Sequence, residues 1–410
     1  MSIPFFSIDF KRVDWFAYLK GTLGINFEKS IDKLISKRFP SKKFLKFSSS
    51  RMGFYFYLEQ NFKSGDEIIF SSMSFPLYIK MAIQLGLKPV LVDVENRHLT
   101  INPELIVQSI TGKTKAVVIT HLFGHPGYLT EIANICNEYG IELIEDCAQS
   151  LDSFYENIET GNFGNTAFFS TGAVKIPTSL GGGFMITNNS NLVEKINLRL
   201  KNEKYTNSIK KTLPFYLKNL ASILNSYPIL YSVLSHKILG LLKKRNPELL
   251  RKIIYSGMDK DSLFDPWERP KQINYQYSVC CSQFSRIREM TDCRRKYSKT
   301  LNEIFRDSKN LRYFEEEKNC FWNNQYYVLH IEKGFDEMYE KMFEDGIHLL
   351  KENVWDCSNY KFPIELKYPL SVTKSFSSKL MRIPNNSHLS TKNIENIALK
   401  IKKVSDNFIK

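Results

Sequence analysis

The chain has 410 residues, of which 43% are hydrophobic and 24% charged, with a formal net charge of +14. That length and apolar share exclude a disordered chain or a mini-protein and predict two domains around a sizeable core. The positive balance favours anionic partners such as phosphorylated metabolites or acidic lipid, and no arginine-rich run or zinc pattern points to nucleic acid.

The N-terminal stretch MSIPFFSIDFKRVDWFAYLK carries charge within its first dozen residues and lacks an apolar core followed by a small-residue cleavage site. It is therefore not read as a signal peptide, and residues 1–45 are expected to form an N-terminal helical segment. The seven cysteines, Cys136, Cys147, Cys280, Cys281, Cys293, Cys320 and Cys357, are scattered, odd in number and free of any Cys-x-x-Cys pair. Such usage suits a reduced, intracellular protein.

From Lys46 to about Asn189 strand and helix alternate. GDEIIF (65–70) turns into a short apolar strand, and Leu77–Leu85 reads as a helix ended by Gly86. PVLVDV (89–94) and KAVVITHLFG (115–124) follow as strands. LTEIANICNEYG (129–140) is an amphipathic helix closed by Gly140, and IELIEDCAQS (141–150) a strand with a polar exit. This rhythm predicts an α/β fold: a largely parallel sheet covered by helices, in a large domain over 46–200. Ligands on such sheets sit beyond the carboxyl ends of the strands. Asp146, Gln149 and the loop after His121 fall on that edge.

Residues 201–265 change character to a basic helical insertion that includes LPFYLKNLASILNSYPILYSVLSHKILGLLKK (213–244). Its apolar stretch between Lys218 and Lys237 is interrupted by Asn219, Asn225, Pro228 and His236. A membrane span needs about 20 predominantly apolar residues, so this is a poor one. Two readings stand: packed helices in an insertion or dimer contact, and an amphipathic hairpin making a membrane-surface contact through 205–265.

A smaller domain is predicted over 266–410. YSVCCSQFSRIREMTDCRRKYSKTLNEIF (277–305) reads as one long amphipathic helix, QYYVLHIEK (325–333) as a strand and FDEMYEKMFEDGI (335–347) as a helix. A final helix covers STKNIENIALKIKKV (390–404), with Thr391 and Glu395 at its start, one residue too far apart for a capping box.

The chemistry-bearing stretch is FFSTGAVKIPTSLGGGFMIT (168–187), where Lys175 follows Ser170 by five positions and precedes a glycine run. Alone, such a lysine reads as a solvated loop residue. Asp146, at the end of an apolar strand, could keep a pyridinium nitrogen protonated or could simply cap a helix. KFSSSRMGFYFYLEQ (46–60) puts hydroxyls ahead of a helix, which makes either a phosphate site or a plain serine cap. Phe75 could cover a flat ring or be core, and His121 could touch a cofactor or be a satisfied strand-end histidine.

Taken in order, these segments resemble the DegT/DnrJ/EryC1/StrS family of sugar aminotransferases, a branch of the fold-type I pyridoxal 5'-phosphate (PLP) enzymes. The resemblance runs from about Phe47 to Asn189 through SSSRMGFYFYL, GDEIIFSSMSF, GLKPVLVDVE, THLFGHPGYLTEI, GIELIEDCAQS and FFSTGAVK. It resumes more faintly at YSVCCSQFSRI, DGIHLL and MRIPNNSHLSTKNIENI, and 205–265 does not match. It implies a mostly parallel central sheet flanked by helices, plus a smaller α+β C-terminal domain. It also implies that Lys175 is the Schiff-base lysine, that Asp146 partners the pyridine nitrogen and that Gln149 lies beside the phenolic oxygen. Ser170, Ser50 and Arg51 stand where the family binds the phosphate, and Phe75 where an aromatic residue stacks on the ring. No metal is implied.

The activity implied is amino transfer, with glutamate as the expected donor, to a nucleotide-linked keto-sugar by a cytoplasmic homodimer. A related sugar dehydratase branch carries histidine in place of the lysine, so Lys175 favours amino transfer. Two departures stand out. The family's Gly-Thr in the phosphate loop is Ser50-Arg51, and its Gly-Glu-Gly-Gly after the lysine is Leu180-Gly181-Gly182-Gly183. They support the alternative of a degenerate member that binds a ligand or partner without turnover.

Overall fold

Ile68 and Ile69 on one strand, and Val117, Val118 and Ile119 on another, are 0% exposed. Successive side chains on a strand point to opposite faces, so both faces of these strands are covered, as a parallel sheet requires. The structure, a computed structural model, describes residues 2–4, 7–202, 209–246, 248–249, 263–364 and 366–409. The parts of the predicted insertion at 203–208, 247 and 250–262 lie outside the described residues.

The helices α1 (Arg12–Thr22) and α2 (Glu28–Arg38) come first, then β1 (Lys43–Phe47), α3 (Ser50–Asn61), β2 (Glu67–Ser71), α4 (Pro76–Gln84) and β3 (Lys88–Val92). Next are α5 (Pro103–Ser109), β4 (Thr114–Thr120), α6 (Leu129–Glu138) and β5 (Glu142–Asp146). A short hairpin, β6 (Phe154–Tyr155) and β7 (Ile158–Glu159), precedes β8 (Thr166–Ser170) and β9 (Gly183–Thr187). These build a seven-stranded sheet in the order β1-β9-β8-β5-β4-β2-β3. The neighbours from β8 to β3 are parallel, and β9 runs antiparallel to β8 and β1. The sheet begins at Lys43, inside the stretch expected as N-terminal helix, because Lys43–Phe47 pairs with β9 in full register.

Helices α7 (Ser190–Asn202), α8 (Ile209–Leu224), α9 (Pro228–Leu230) and α10 (His236–Arg245) follow, with a π-helical turn at Tyr231–Ser235. No described helix is long and apolar enough to cross a membrane. The long helix predicted over 277–305 is two, α11 (Asn274–Phe284) and α12 (Ile287–Phe305). The break is held by the N-terminal segment: Gln283 Nε2 donates to the Asp9 carbonyl and the Arg286 guanidinium pairs with Asp14 at 2.6 Å. Sequence periodicity continues through a break whose partners are 272 and 274 residues away.

The C-terminal part comprises β10 (Leu311–Tyr313), β11 (Cys320–Phe321), β12 (Tyr327–Ile331), α13 (Phe335–Glu344), β13 (Leu350–Lys351), α14 (Ser371–Ser377), β14 (Leu380–Ile383) and α15 (Thr391–Asp406). Four of these strands form an antiparallel sheet, β10-β12-β14-β13, while β11 pairs with β6 of the large part. The last helix is capped one residue earlier than expected. Ser390 accepts from the Asn393 N–H at 3.2 Å and the Asn393 side chain accepts from the Ser390 N–H at 2.9 Å. That spacing of three closes the box that Thr391 and Glu395 could not. All seven cysteines are free thiols.

Candidate active site

The carboxyl end of β5 carries the first element of the site. Glu145 and Asp146 are adjacent, so their side chains point to opposite faces of the sheet. Glu145 is 0% exposed and accepts from His121 Nε2 at 3.0 Å and from the backbone N–H groups of Gly161, Phe163 and Gly164 at 2.7–2.9 Å. Burial alone would raise its pKa, but these hydrogen bonds and the His121 charge hold it below the ordinary carboxylate range. Glu145 thus ties β4, β5 and the 161–164 turn together beneath the edge. His121, Glu145 and Cys147 offer donor atoms within 4.8 Å of one another. Glu145 is already engaged four times, and burial pushes the Cys147 thiol well up, so the trio reads as a hydrogen-bonded wall rather than a ligand set.

Asp146 faces the other way. It is 5% exposed, and its Oδ1 accepts from the Ala148 N–H at 3.0 Å. Burial raises its pKa, against the pull of that N–H, the Lys175 charge, the His121 charge and the Tyr78 hydroxyl. A buried carboxyl left in this condition gains most from a cationic hydrogen-bond donor placed against it. Gln149, one turn further, accepts from the Phe123 N–H at 2.9 Å, while its own carbonyl accepts from Asn323 at 3.0 Å.

The loop between β8 and β9 carries Lys175. It closes on itself: the Lys175 N–H donates to the Gly172 carbonyl, Thr178 Oγ1 donates to the same carbonyl, and the Thr171 N–H reaches the Gly182 carbonyl at 3.1 Å. Ser170, at its start, accepts from the Gly172 N–H at 3.3 Å. Gln325 grips the loop on both sides of the lysine. Its Oε1 accepts from the Ile176 N–H at 3.1 Å and its Nε2 donates to the Val174 carbonyl at 2.8 Å. The Lys175 ammonium lies 5.6 Å from the centre of the Tyr326 ring, and the Arg382 guanidinium covers that ring at 4.0 Å.

The loop ends where α3 begins. A Cβ on Gly183 would stand 2.6 Å from the Ser50 nitrogen, so only glycine lets the backbone approach the helix N-terminus this closely. Leu180 takes φ +62° at 1% exposure, where the resembled family has glycine. A left-handed leucine costs on the order of 1 kcal/mol. It is offset by packing: Leu180 is buried with Phe10, Tyr275, Val279 and Ile223 of α8. Helix α8 contributes Ile223 to the apolar wall around this side chain.

At the α3 N-terminus Ser49 is the cap, accepting from the Met52 N–H at 3.2 Å. Ser50 is 4% exposed, with its hydroxyl 3.4 Å from the Tyr78 hydroxyl. The Arg51 guanidinium pairs with Glu268 at 2.7 Å, and its backbone lies in the first turn of the helix. Phe75 is the cap residue of α4, edge-on to Tyr78 at 5.4 Å and tilted against Trp355 at 6.1 Å. Sequence reasoning missed Tyr78, whose hydroxyl lies 3.4 Å from that of Ser50 and lowers the Asp146 pKa, because its position inside an apolar helix hides a polar tip. It also missed Gln325, Tyr326 and Arg382. Their signals were a polar run, Asn323–Gln325, just ahead of a strand, and for Arg382 the MRIPNN stretch (381–386).

Residues 21–213 match the DegT/DnrJ/EryC1/StrS aminotransferase family. Through that stretch, the chain is similar to this family. It is 32% identical to the GDP-perosamine synthase of Vibrio cholerae over 139 residues, 34% of this chain and 38% of that one. The chain therefore spans well under half the length of this curated relative. The fold extends further. It superimposes on PseC of Helicobacter pylori, an aminotransferase involved in the biosynthesis of pseudoaminic acid, with a TM-score of 0.73 over 100% of both chains at 19% identity. It likewise matches the PLP form of Spr1654 of Streptococcus pneumoniae, named as a sugar aminotransferase, with a TM-score of 0.73 over 99% of both chains at 16% identity. The architecture is that of the fold-type I aminotransferases.

Proposed function

We propose that the chain is a PLP-dependent aminotransferase that moves an amino group, with glutamate as donor, onto a nucleotide-linked keto-sugar. The observation that carries this reading is that Asp146 ends β5 while Lys175 sits on the loop leaving the carboxyl end of β8, the parallel strand beside it, with the lysine charge favouring the ionised carboxyl. The site fits the cofactor. Asp146 is a buried carboxyl in want of a cationic partner, which suits a protonated pyridine nitrogen. The first turn of α3 and Ser170 suit the phosphate, and Phe75 suits a ring face. When bound, PLP supplies the electron sink that lets a carbon bearing the amino group lose its proton.

Each residue then has a task. Lys175 anchors the cofactor and, once displaced, its Nζ takes up and returns the proton. Asp146 stabilises the positive ring nitrogen through charge that is already in place and already desolvated. Ser50, the Arg51 N–H and Ser170 fix the phosphate end. Gln325 holds the peptide groups flanking the lysine so that the amine keeps its aim. A homodimer and a cytoplasmic setting go with this reading, the latter supported by seven free thiols.

The test is an absorbance spectrum of the protein with added PLP, wild type against Lys175→Ala, followed by glutamate. A long-wavelength band in the wild type alone, bleached by glutamate, supports amino transfer. A silent wild type under saturating PLP refutes it in favour of a binding-only protein, a reading that the Arg51–Glu268 pair beside the phosphate end would explain.

A further inference from the structure

Helix α8 and the α9–α10 segment each turn one side inward and leave the other bare. Inward, Tyr216 meets Tyr18 of α1 at 5.6 Å and Tyr275 at 5.4 Å, Asn219 donates to the Tyr275 hydroxyl, and Ile223 is 0% exposed. Tyr231 and His236 lean on His348. Outward, Leu213, Leu217 and Leu224 make a stripe at helical spacing on α8, 40–54% exposed. The stripe is taken up by Ile229, Val233, Ile238 and Leu241, 56–70% exposed. Next to α8, helix α1 leaves Phe16, Leu19 and Leu23 exposed by 54–82%.

The charged side chains of this segment have one sign, with Lys243 paired to Glu340 of the neighbouring helix α13. Between Ile209 and Asn246 there are six lysines and one arginine, and no aspartate or glutamate. Lys218, Lys237, Lys244 and Arg245 are exposed alongside the apolar stripe. A two-fold contact with a second copy would set this basic face against itself. A nucleic acid would leave the leucines facing phosphate. An anionic lipid surface satisfies both halves, since the apolar side chains enter the acyl boundary while the cations meet the headgroups.

We propose that the outer face of α8 and α9–α10 docks this protein on an anionic membrane surface, lying along it rather than crossing it. The inference is independent of the proposed catalysis. It is tested with the full-length protein and vesicles of phosphatidylglycerol mixed with phosphatidylcholine, against phosphatidylcholine alone. Co-sedimentation is expected on the anionic vesicles, weakening with added salt. Replacing Leu217, Val233 and Ile238 by glutamate together, or Lys218, Lys237 and Lys244 by glutamate together, should each lower partitioning by about tenfold or more. All six side chains are exposed or sit at exposed positions, and an unchanged melting temperature confirms that the fold is kept. Wild-type protein that stays in the supernatant, or variants that sediment like wild type, overturn the proposal. So does a leucine-face variant that changes the oligomeric mass by light scattering without lipid, because the face would then be a subunit contact.

Discussion

The sheet edge and the α8–α10 helices are both rich in apolar residues, yet they use them in opposite ways. On β4 and β5 every apolar side chain is inside, and the polar groups that remain are aimed by hydrogen bonds, as Glu145 is by four. On α8 and α10 half of the apolar side chains are outside, with lysines beside them and no acid in the segment. The first pattern concentrates chemistry at a point, and the second spreads adhesion over a surface. A chain that carries both gives each region its own way to fail, so substitutions should separate them.

The largest effect expected is at Lys175. Lys175→Ala should abolish the long-wavelength absorbance band and lower turnover by at least about a thousandfold, with thermal stability and vesicle binding unchanged. A parallel loss of vesicle binding would break the separation. Asp146→Asn keeps the shape and removes the charge, so turnover should fall by roughly a hundredfold or more while PLP is still bound, though less tightly. Steady-state rates with glutamate and a titration of the band read the two apart.

Gln325→Ala strips partners from two peptide groups flanking the lysine. A stability loss of about 1–3 kcal/mol is expected, together with a drop in kcat larger than any change in KM. Equal kcat in the variant would show that the loop aims the lysine unaided.

The smallest effect concerns pH and the contact of α9–α10 with His348. Burial and the His236 charge depress His348 from its ordinary 6.5 to about 3. Protonation therefore favours the unfolded form of this contact. Its contribution is complete above pH 6.5 and is lost as pH falls from there toward 3. Hydrogen exchange in α9–α10 should quicken across that window before β5 changes, and His348→Asn should flatten the response.

The parallel sheet was legible in the sequence because its signal is local: unbroken β-branched runs alternating with amphipathic helices. The strand-end positions of Asp146 and Ser170, and the loop position of Lys175 after them, were legible for the same reason. What escaped was assembled across the chain. The break at Ser285–Arg286 depends on Asp9 and Asp14, and the clamp on the lysine comes from Gln325. The Arg51 guanidinium is claimed by Glu268, a partner that no spacing rule could supply. Tyr78 was hidden by its own ring, which reads as core and packs as core while its hydroxyl serves the site.

Leu180 has a consequence for how such a chain can change. Its left-handed backbone is offset by an apolar cluster to which α8 contributes Ile223, so the leucine and the helix share one packing unit. Neither can be lost alone without harm: deleting the helix strands a strained leucine beside the lysine loop, and restoring glycine opens a hole under the helix. The two therefore form one unit of exchange. Transplanting α8–α10 into a relative that keeps glycine here should fail until a leucine is moved with it.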